Sequence, residues 1–219
     1  MKQYKYILFD LDGTLTDPAE GITNSVIYAL KRFGIPAPAR ETLYPFIGPP
    51  LTDSFERFYG FTKAQARQAV DYYRVYFTDK GIFENVLYPG TVSMLQRLSD
   101  CGKTLIMATS KPEVFAERIA AHFGIAQYFT YIAGSLLDGT RVKKNEVIRF
   151  ALSACGIADG TRAVMVGDRE HDILGAKSEG LDAVGVLYGY GSREELLLAG
   201  ADALAATPEE ATDLLALRE

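Results

Sequence analysis

The chain has 219 residues, 48% of them hydrophobic, and a formal net charge of −5. This length and apolar content suit one complete domain plus a smaller inserted one. The acidic balance excludes a nucleic-acid polymer as the expected partner, because binding to a phosphate backbone needs a basic surface. The apolar runs are strand-sized, far short of the ~20 residues that cross a bilayer, so no membrane span is expected.

The N-terminal segment and the two cysteines indicate the compartment. Met1–Tyr6 leads directly into a strand-like run, without the apolar stretch and cleavage site of a signal peptide, which predicts a cytoplasmic protein. Cys101 and Cys155 lie far apart among apolar or loop residues, a spacing that fits neither a metal site nor a disulfide framework. We interpret both as structural thiols. Monomer and dimer both stay open as oligomeric states.

The first predicted element is a strand over Tyr6–Asp10, a continuous apolar run that ends in an acid. Such a run is typical of a central parallel strand that is buried on both faces.

Residues 18–85 contain no strand-like run and predict a small all-helical domain. Helical patterns span Gly21–Phe33, Leu51–Tyr59 and Lys63–Asp79, with a turn-rich Pro45–Pro50 between the first two. Aromatic residues at helical spacing are expected to form this domain's own core: Phe33, Phe46, Phe55, Phe58, Tyr72, Tyr73, Tyr76 and Phe77. Residues 1–17 and 86–219 then form the domain into which it is inserted.

Strand-like runs resume after the insert and alternate with helical patterns. The runs are Thr104–Ala108, Tyr128–Ala133, Ala163–Val166 and Ala183–Leu187. The helical patterns are Thr91–Ser99, Glu113–Phe123 and Ile173–Glu179. Along the whole chain, helical patterns end beside Gly34, Gly102, Gly124, Gly156 and Gly180, which suits left-handed C-terminal caps. The alternation predicts an α/β fold with a doubly wound, Rossmann-like parallel sheet.

Polar residues follow four of the predicted strands. Ligands of open parallel sheets bind beyond the carboxyl ends of the strands, so these positions are candidates for a site. They are Asp10 and Asp12 after the first strand, Thr109 and Ser110 after the second, Lys144 after the third, and Asp168 and Asp172 after the fourth.

Asp10 and Asp12 alternate along an extended segment that ends at Gly13, which permits a tight turn and close approach of a ligand. Two carboxylates so close repel each other unless a cation lies between them, and hard oxygen ligands suit Mg²⁺. The alternative interpretation is a plain turn over Asp12-Gly13-Thr14, with Asp10 as a solvated strand end.

The other strand ends carry complementary chemistry. Asp168 can complete a magnesium shell, whereas Asp172 can cap a helix, hold the metal site in place, or do both. The hydroxyls of Thr109 and Ser110 can bind phosphate oxygens at a helix start, or serve as N-caps. Lys144 can neutralise phosphoryl oxygens in an acidic pocket, although a single lysine is more often solvated.

These residues resemble the four motifs of the haloacid dehalogenase superfamily of hydrolases, in family order and over nearly the whole chain. The motifs are Asp10-x-Asp12-Gly13-Thr14, then Thr109 or Ser110, then a lysine, then Gly167-Asp168-x-x-x-Asp172. The lysine is Lys143 or Lys144, and we favour Lys144 because it stands where related phosphatases have the lysine that opens a helix.

The resemblance implies a Mg²⁺-dependent phosphatase that acts on a small phosphorylated metabolite. Asp10 would form an aspartyl-phosphate, and Asp12 would protonate the leaving oxygen and then activate water. Asp10, Asp168 and the Asp12 backbone carbonyl would hold Mg²⁺, with Asp172 beside them, while Thr109 would bind the phosphoryl group, with Ser110 as second choice. An acid at position 12 favours phosphate esters over haloacids and phosphonates.

The helical insert resembles the cap of phosphoglycolate phosphatases, bacterial nucleotidases and β-phosphoglucomutases. This implies a 5'-nucleotide or a phosphoglycolate-like substrate, selected at the loop Ile47–Leu51. A phosphomutase of the β-phosphoglucomutase type is the first alternative. A phospho-accepting signalling domain is the second, although such domains lack a helical insert and an acid two residues after the acceptor.

Overall fold

The computed structural model of the protein describes residues 2–216. It divides into two compact units, one of Met1–Asp17 with Leu87–Glu219 and the other of Pro18–Val86. The assignment of residues 18–85 to an inserted helical domain stays a prediction. Within the described residues, no helix is long and apolar enough to cross a bilayer. Cys101 and Cys155 are both free thiols.

The larger unit contains a six-stranded parallel sheet in the order β5-β4-β1-β6-β7-β8. The strands are β1 (Tyr6–Phe9), β4 (Thr104–Pro112), β5 (Phe129–Ser135), β6 (Ala163–Gly167), β7 (Asp182–Val186) and β8 (Ala203–Ala205). Two short strands, β2 (Thr16–Asp17) and β3 (Val86–Leu87), pair with each other in a separate two-stranded sheet. The parallel α/β prediction is therefore confirmed.

Helices of the same unit follow the strands in alternation. They are α4 (Thr91–Asp100), α5 (Glu113–His122), α6 (Lys144–Ala154), α7 (Glu170–Ser178), α8 (Arg193–Leu198) and α9 (Pro208–Leu215). All five glycines at which helical patterns were predicted to end have positive φ, between 65° and 76°. The predicted left-handed caps are confirmed.

The core lies on both faces of the sheet. Leu8 is in register with Ile106 and Met165 on the neighbouring strands, and all three pack in one cluster with residues of α6 and α7, including Val147. Ile7 and Phe9 alternate with Leu8 and point to the other face, yet they are equally inaccessible. A central strand buried on both faces explains the continuous apolar run.

The smaller unit is built from three α-helices and shorter helical turns. They are α1 (Ala19–Arg32), a 3₁₀ helix (Arg40–Phe46), α2 (Leu51–Tyr59), α3 (Lys63–Tyr76) and a π-helical turn (Phe77–Gly81). Phe46 packs edge-on against Phe55 with ring centres 5.1 Å apart, and Tyr73 stacks on Phe77 at 5.3 Å. The predicted aromatic core forms, except that Phe58 is 43% exposed.

Two predicted boundaries at the carboxyl edge of the sheet were wrong. β4 continues to Pro112 instead of ending at Ala108, because it pairs with β5 again, after a register shift, at Pro112 and Ser135. Thr109 and Ser110 therefore lie in a strand and cap no helix. The helix α7 begins at Glu170, so Asp172 occupies its third position and does not precede it.

Candidate active site

A cluster of buried carboxylates lies at the carboxyl edge of the sheet. Asp10 follows β1, and its backbone N–H donates to the carbonyl of Val166 on β6 at 3.0 Å. Because β1 and β6 are neighbours, the residues that follow them meet. Asp10, Asp168 and Asp172 each place one carboxylate oxygen within 4.8 Å of the others, and none is more than 5% exposed.

Lys144, the first residue of α6, joins this cluster. Its Nζ lies 2.8 Å from Oδ1 of Asp10 and 2.8 Å from Oδ1 of Asp172, and it donates to the carbonyl of Ala108 at 3.1 Å. Burial alone lowers the pKa of Lys144, but the two carboxylates outweigh it and raise the pKa above its ordinary value. Lys144 is thus held as an ammonium, whereas Lys143 is exposed.

Asp172 makes two contacts at once. Its Oδ2 accepts the backbone N–H of Arg169 at 3.1 Å, while its Oδ1 pairs with Lys144. The sequence allowed Asp172 to cap a helix, to hold the site in place, or to do both. The structure shows one contact of each kind, to the N–H at the start of α7 and to Lys144. Gly167 permits this approach, since a Cβ there would lie 2.3 Å from the Asp172 side chain.

Asp168 is enclosed by neighbouring loops. The backbone N–H of Tyr190 donates to Oδ2 at 2.8 Å, and the hydroxyl of Thr14 contacts Oδ1 at 3.4 Å. Burial raises the pKa of Asp168 well above its ordinary value, and the charges of Asp172 and Asp10 raise it further. Sequence reasoning missed Tyr190, because a backbone donor carries no residue-type signal.

Gly13 lies directly against Asp168. Its φ is +82°, and a Cβ built there would lie 2.2 Å from Oδ2 of Asp168. Gly13 therefore meets two requirements, a left-handed backbone and room for a carboxylate.

A Gly13→Ala variant is expected to unfold more easily than Gly139→Ala. Gly139 has a similar φ of +86° but nothing within 4 Å of a built Cβ, so it isolates the backbone strain. That strain costs about 1–2 kcal/mol, and the clash with Asp168 adds to it only at position 13. Urea unfolding measures both free energies, and equal losses in the two variants would contradict the close packing.

Asp12 pairs with a lysine that the sequence analysis did not single out. Nζ of Lys111 lies 2.6 Å from Oδ2 of Asp12, and both side chains are almost inaccessible. Burial raises the pKa of Asp12, while Lys111 opposes that rise. The sequence signal for Lys111 was weak: two residues after Thr109, it would share a side with Thr109 in a regular strand, but the register of β4 shifts between Ala108 and Pro112.

The two candidate phosphate-binding hydroxyls differ in burial. Thr109 is 1% exposed, and its Oγ1 accepts the backbone N–H of Lys111 at 3.2 Å. Ser110 is half-buried, and its carbonyl accepts the hydroxyl of Ser135 at 2.8 Å. Of the two hydroxyls, Thr109 is therefore the one that contacts the Asp12–Lys111 pair, through the backbone N–H of Lys111. His171, which directly precedes Asp172 in the chain, is exposed.

The charges of the cluster fit one divalent cation. The three clustered carboxylates of Asp10, Asp168 and Asp172 are matched by one ammonium group, that of Lys144, which leaves a formal charge of −2. Buried carboxylates that are not neutralised are costly. All the available donors are oxygens, the set that Mg²⁺ prefers. The residues present therefore fit a magnesium ion.

Comparison with known proteins gives three results. The profile described as haloacid dehalogenase-like hydrolase matches residues 7–186. A 5'-nucleotidase of Pseudomonas aeruginosa is 50% identical over 194 residues, which cover 89% of this chain and 87% of that protein. The crystal structure of a predicted phosphatase from Clostridium acetobutylicum superposes with a TM-score of 0.94 at 47% identity, covering 97% of this chain and 98% of the other.

Another relative bears a different name. The tyrosine-protein kinase PtkA of Mycobacterium tuberculosis is 42% identical over 185 residues, which cover 84% of this chain but 62% of that protein.

Proposed function

The chain belongs to the haloacid dehalogenase-like hydrolases and is a phosphatase, and we propose that it hydrolyses a small phosphomonoester with Mg²⁺ through an aspartyl-phosphate on Asp10. The observation that supports this most is the arrangement around Asp10. A buried carboxylate pairs with Lys144 and lies among the acids that can hold a cation, with Asp12 two residues further along the chain.

The first half of the reaction transfers the phosphoryl group to the protein. An oxygen of Asp10 attacks phosphorus, and the bond from phosphorus to the alcohol oxygen breaks. Asp12 gives its proton to that oxygen, so the alcohol leaves neutral. The Lys144 ammonium offsets negative charge on the phosphoryl oxygens, and Thr109 donates its hydroxyl to one of them.

The second half returns Asp10 to its starting state. Asp12, now a carboxylate, takes a proton from a water molecule as that water attacks the phosphorus. The bond between phosphorus and the Asp10 oxygen breaks, inorganic phosphate leaves, and Asp12 is protonated again. One acid therefore serves both halves.

The side chains of Asp10 and Asp168 and the backbone carbonyl of Asp12 would hold Mg²⁺, with Asp172 supporting them from α7. When bound, Mg²⁺ neutralises charge that develops on the phosphoryl oxygens. The Asp168 carboxylate is oriented for this by the Tyr190 N–H and the Thr14 hydroxyl.

Release of phosphate from p-nitrophenyl phosphate is expected to require Mg²⁺. Removal of the metal by EDTA should lower the rate by at least about 100-fold, because the site then retains two uncompensated negative charges and binds the phosphate dianion poorly. Excess Mg²⁺ should restore the rate, whereas the same ionic strength of NaCl should not. Full turnover in EDTA would contradict the proposal.

A 5'-nucleotide is the favoured substrate, since the similar Pseudomonas aeruginosa protein is named a 5'-nucleotidase. The test compares kcat/KM for 5'-nucleotides, phosphoglycolate and sugar phosphates, with ATP plus a tyrosine peptide as an arm for kinase activity. For hexose phosphates, phosphorus NMR separates hydrolysis, which yields inorganic phosphate, from a mutase reaction, which yields an isomer. The loop Ile47–Leu51 as the determinant of selectivity stays a prediction.

A further inference from the structure

Lys111 and Asp12 form a buried ion pair separate from the one between Lys144 and Asp10. We propose that Lys111 is a positioning residue, which fixes the Asp12 carboxyl so that one oxygen stays available for proton exchange with the leaving group and with water. This inference rests on the proposed function, in which Asp12 serves as acid and base.

The two oxygens of Asp12 have different surroundings. Oδ2 is held by the Lys111 ammonium at 2.6 Å. Oδ1 is buried and has no hydrogen-bond partner among residues 2–216. A buried acceptor without a partner is unfavourable in the free protein, and a catalytic role is one explanation for such an atom. The ion pair therefore leaves Oδ1 as the atom that carries the proton, with Oδ2 as its anchor.

The position of Lys111 is itself fixed. Its backbone N–H donates to Oγ1 of Thr109, and β4 pairs with β5 on both sides of it, at Ala108 and, after a register shift, at Pro112. The side chains of Lys111 and Asp12 are only 6% and 10% exposed, so solvent competes little with their contact. A salt bridge at the surface would not hold a carboxyl in one orientation.

The proton balance agrees with this assignment. In the first half, the proton passes from Oδ1 of Asp12 to the departing alcohol oxygen as the phosphorus–oxygen bond breaks. In the second half, Oδ1 takes a proton from the attacking water. Lys111 keeps its protons throughout, and its ammonium donates to Oδ2 of Asp12.

A leaving-group series distinguishes positioning from general structural support. In Lys111→Met, kcat/KM is expected to fall about 100-fold for a 5'-nucleotide or phenyl phosphate, because their leaving oxygens need a proton. A loss of about 100-fold is the size expected when a catalytic group is displaced. For 2,4-dinitrophenyl phosphate, whose leaving group departs without protonation, the loss should stay within about 3-fold. Because kcat/KM covers only steps through departure of the alcohol, the later hydrolysis does not mask the contrast.

Companion variants complete the experiment. Lys111→Arg, which keeps the charge, should recover part of the loss, and Lys143→Met, which removes an exposed lysine, should match the wild type. In an Asp12→Asn background, Lys111→Met should cause no further change, since the residue through which it acts is gone. Should Lys111→Met not fold, Lys111→Gln is measured in its place with the same expected contrast between esters.

The outcomes are separable from those of the proposed function. A wild type that releases no phosphate from any ester with Mg²⁺ overturns the proposed function. An equal loss on all esters, no loss at all, or a loss that persists with Asp12→Asn overturns the role of Lys111 alone.

Discussion

Replacement of Asp10 by asparagine is expected to lower kcat for phosphate release about 10⁵-fold or more, the scale on which removal of a covalent nucleophile acts. The amide has no lone pair comparable to a carboxylate oxygen for attack on phosphorus, and it cannot form the aspartyl-phosphate. The rate is measured with inorganic phosphate detection at high enzyme concentration. Asp71→Asn, which changes an exposed carboxylate in the smaller unit, is the matched control and should retain full activity.

The same substitution is expected to leave thermal stability unchanged or higher when Mg²⁺ is absent. Asp10 contributes one of the excess negative charges in the cluster, so its neutralisation relieves repulsion between Asp10, Asp168 and Asp172. Thermal unfolding in EDTA measures this. An inactive variant with a markedly lower melting temperature would contradict the assignment, since loss of structure would then explain loss of activity.

The sheet could be predicted from the sequence because its central strands are buried on both faces. Burial on both faces requires continuous apolar runs. These runs identify β1, β4, β5, β6 and β7 from the local sequence alone, without knowledge of contacts to residues far away in the chain. The strands β2 and β3 have two residues each and β8 has three, too few to show a period. Their pairing comes from the tertiary structure instead.

The cluster of acids could be predicted because strand ends at one edge of a parallel sheet converge. Lys111 carried only a weak sequence signal, since its place depends on how far β4 continues past Ala108, which pairing with the neighbouring β5 decides. The choice between Lys143 and Lys144 likewise rests on how α6 packs, which determines the lysine that reaches Asp10 and Asp172. Contacts through backbone N–H groups, such as that of Tyr190 to Asp168, cannot be predicted from the type of the residue, because every residue except proline has this group.

Lys144→Met is expected to affect both activity and stability, unlike Asp10→Asn. It leaves Asp10 and Asp172 buried without their ammonium, which costs about 3–5 kcal/mol of unfolding free energy, and kcat should fall about 10²–10³-fold through loss of charge stabilisation. Lys143→Met, one residue away and exposed, should stay within about 0.5 kcal/mol of the wild type. Urea unfolding and phosphate release measure the two effects.

A second substitution tests whether charge causes that destabilisation. Adding Asp172→Asn to Lys144→Met removes one of the stranded carboxylates, so the double variant should be more stable than Lys144→Met alone while remaining inactive. The asparagine amide introduced by this change keeps an oxygen that can accept the Arg169 N–H, so the start of α7 is preserved. If stability does not recover, the loss comes from the missing contact to the Ala108 carbonyl and from packing of the lysine chain. Recovery of stability without activity would instead show that the Lys144 ammonium has two roles. It neutralises the buried carboxylates in the folded protein, and it takes part in the reaction at Asp10.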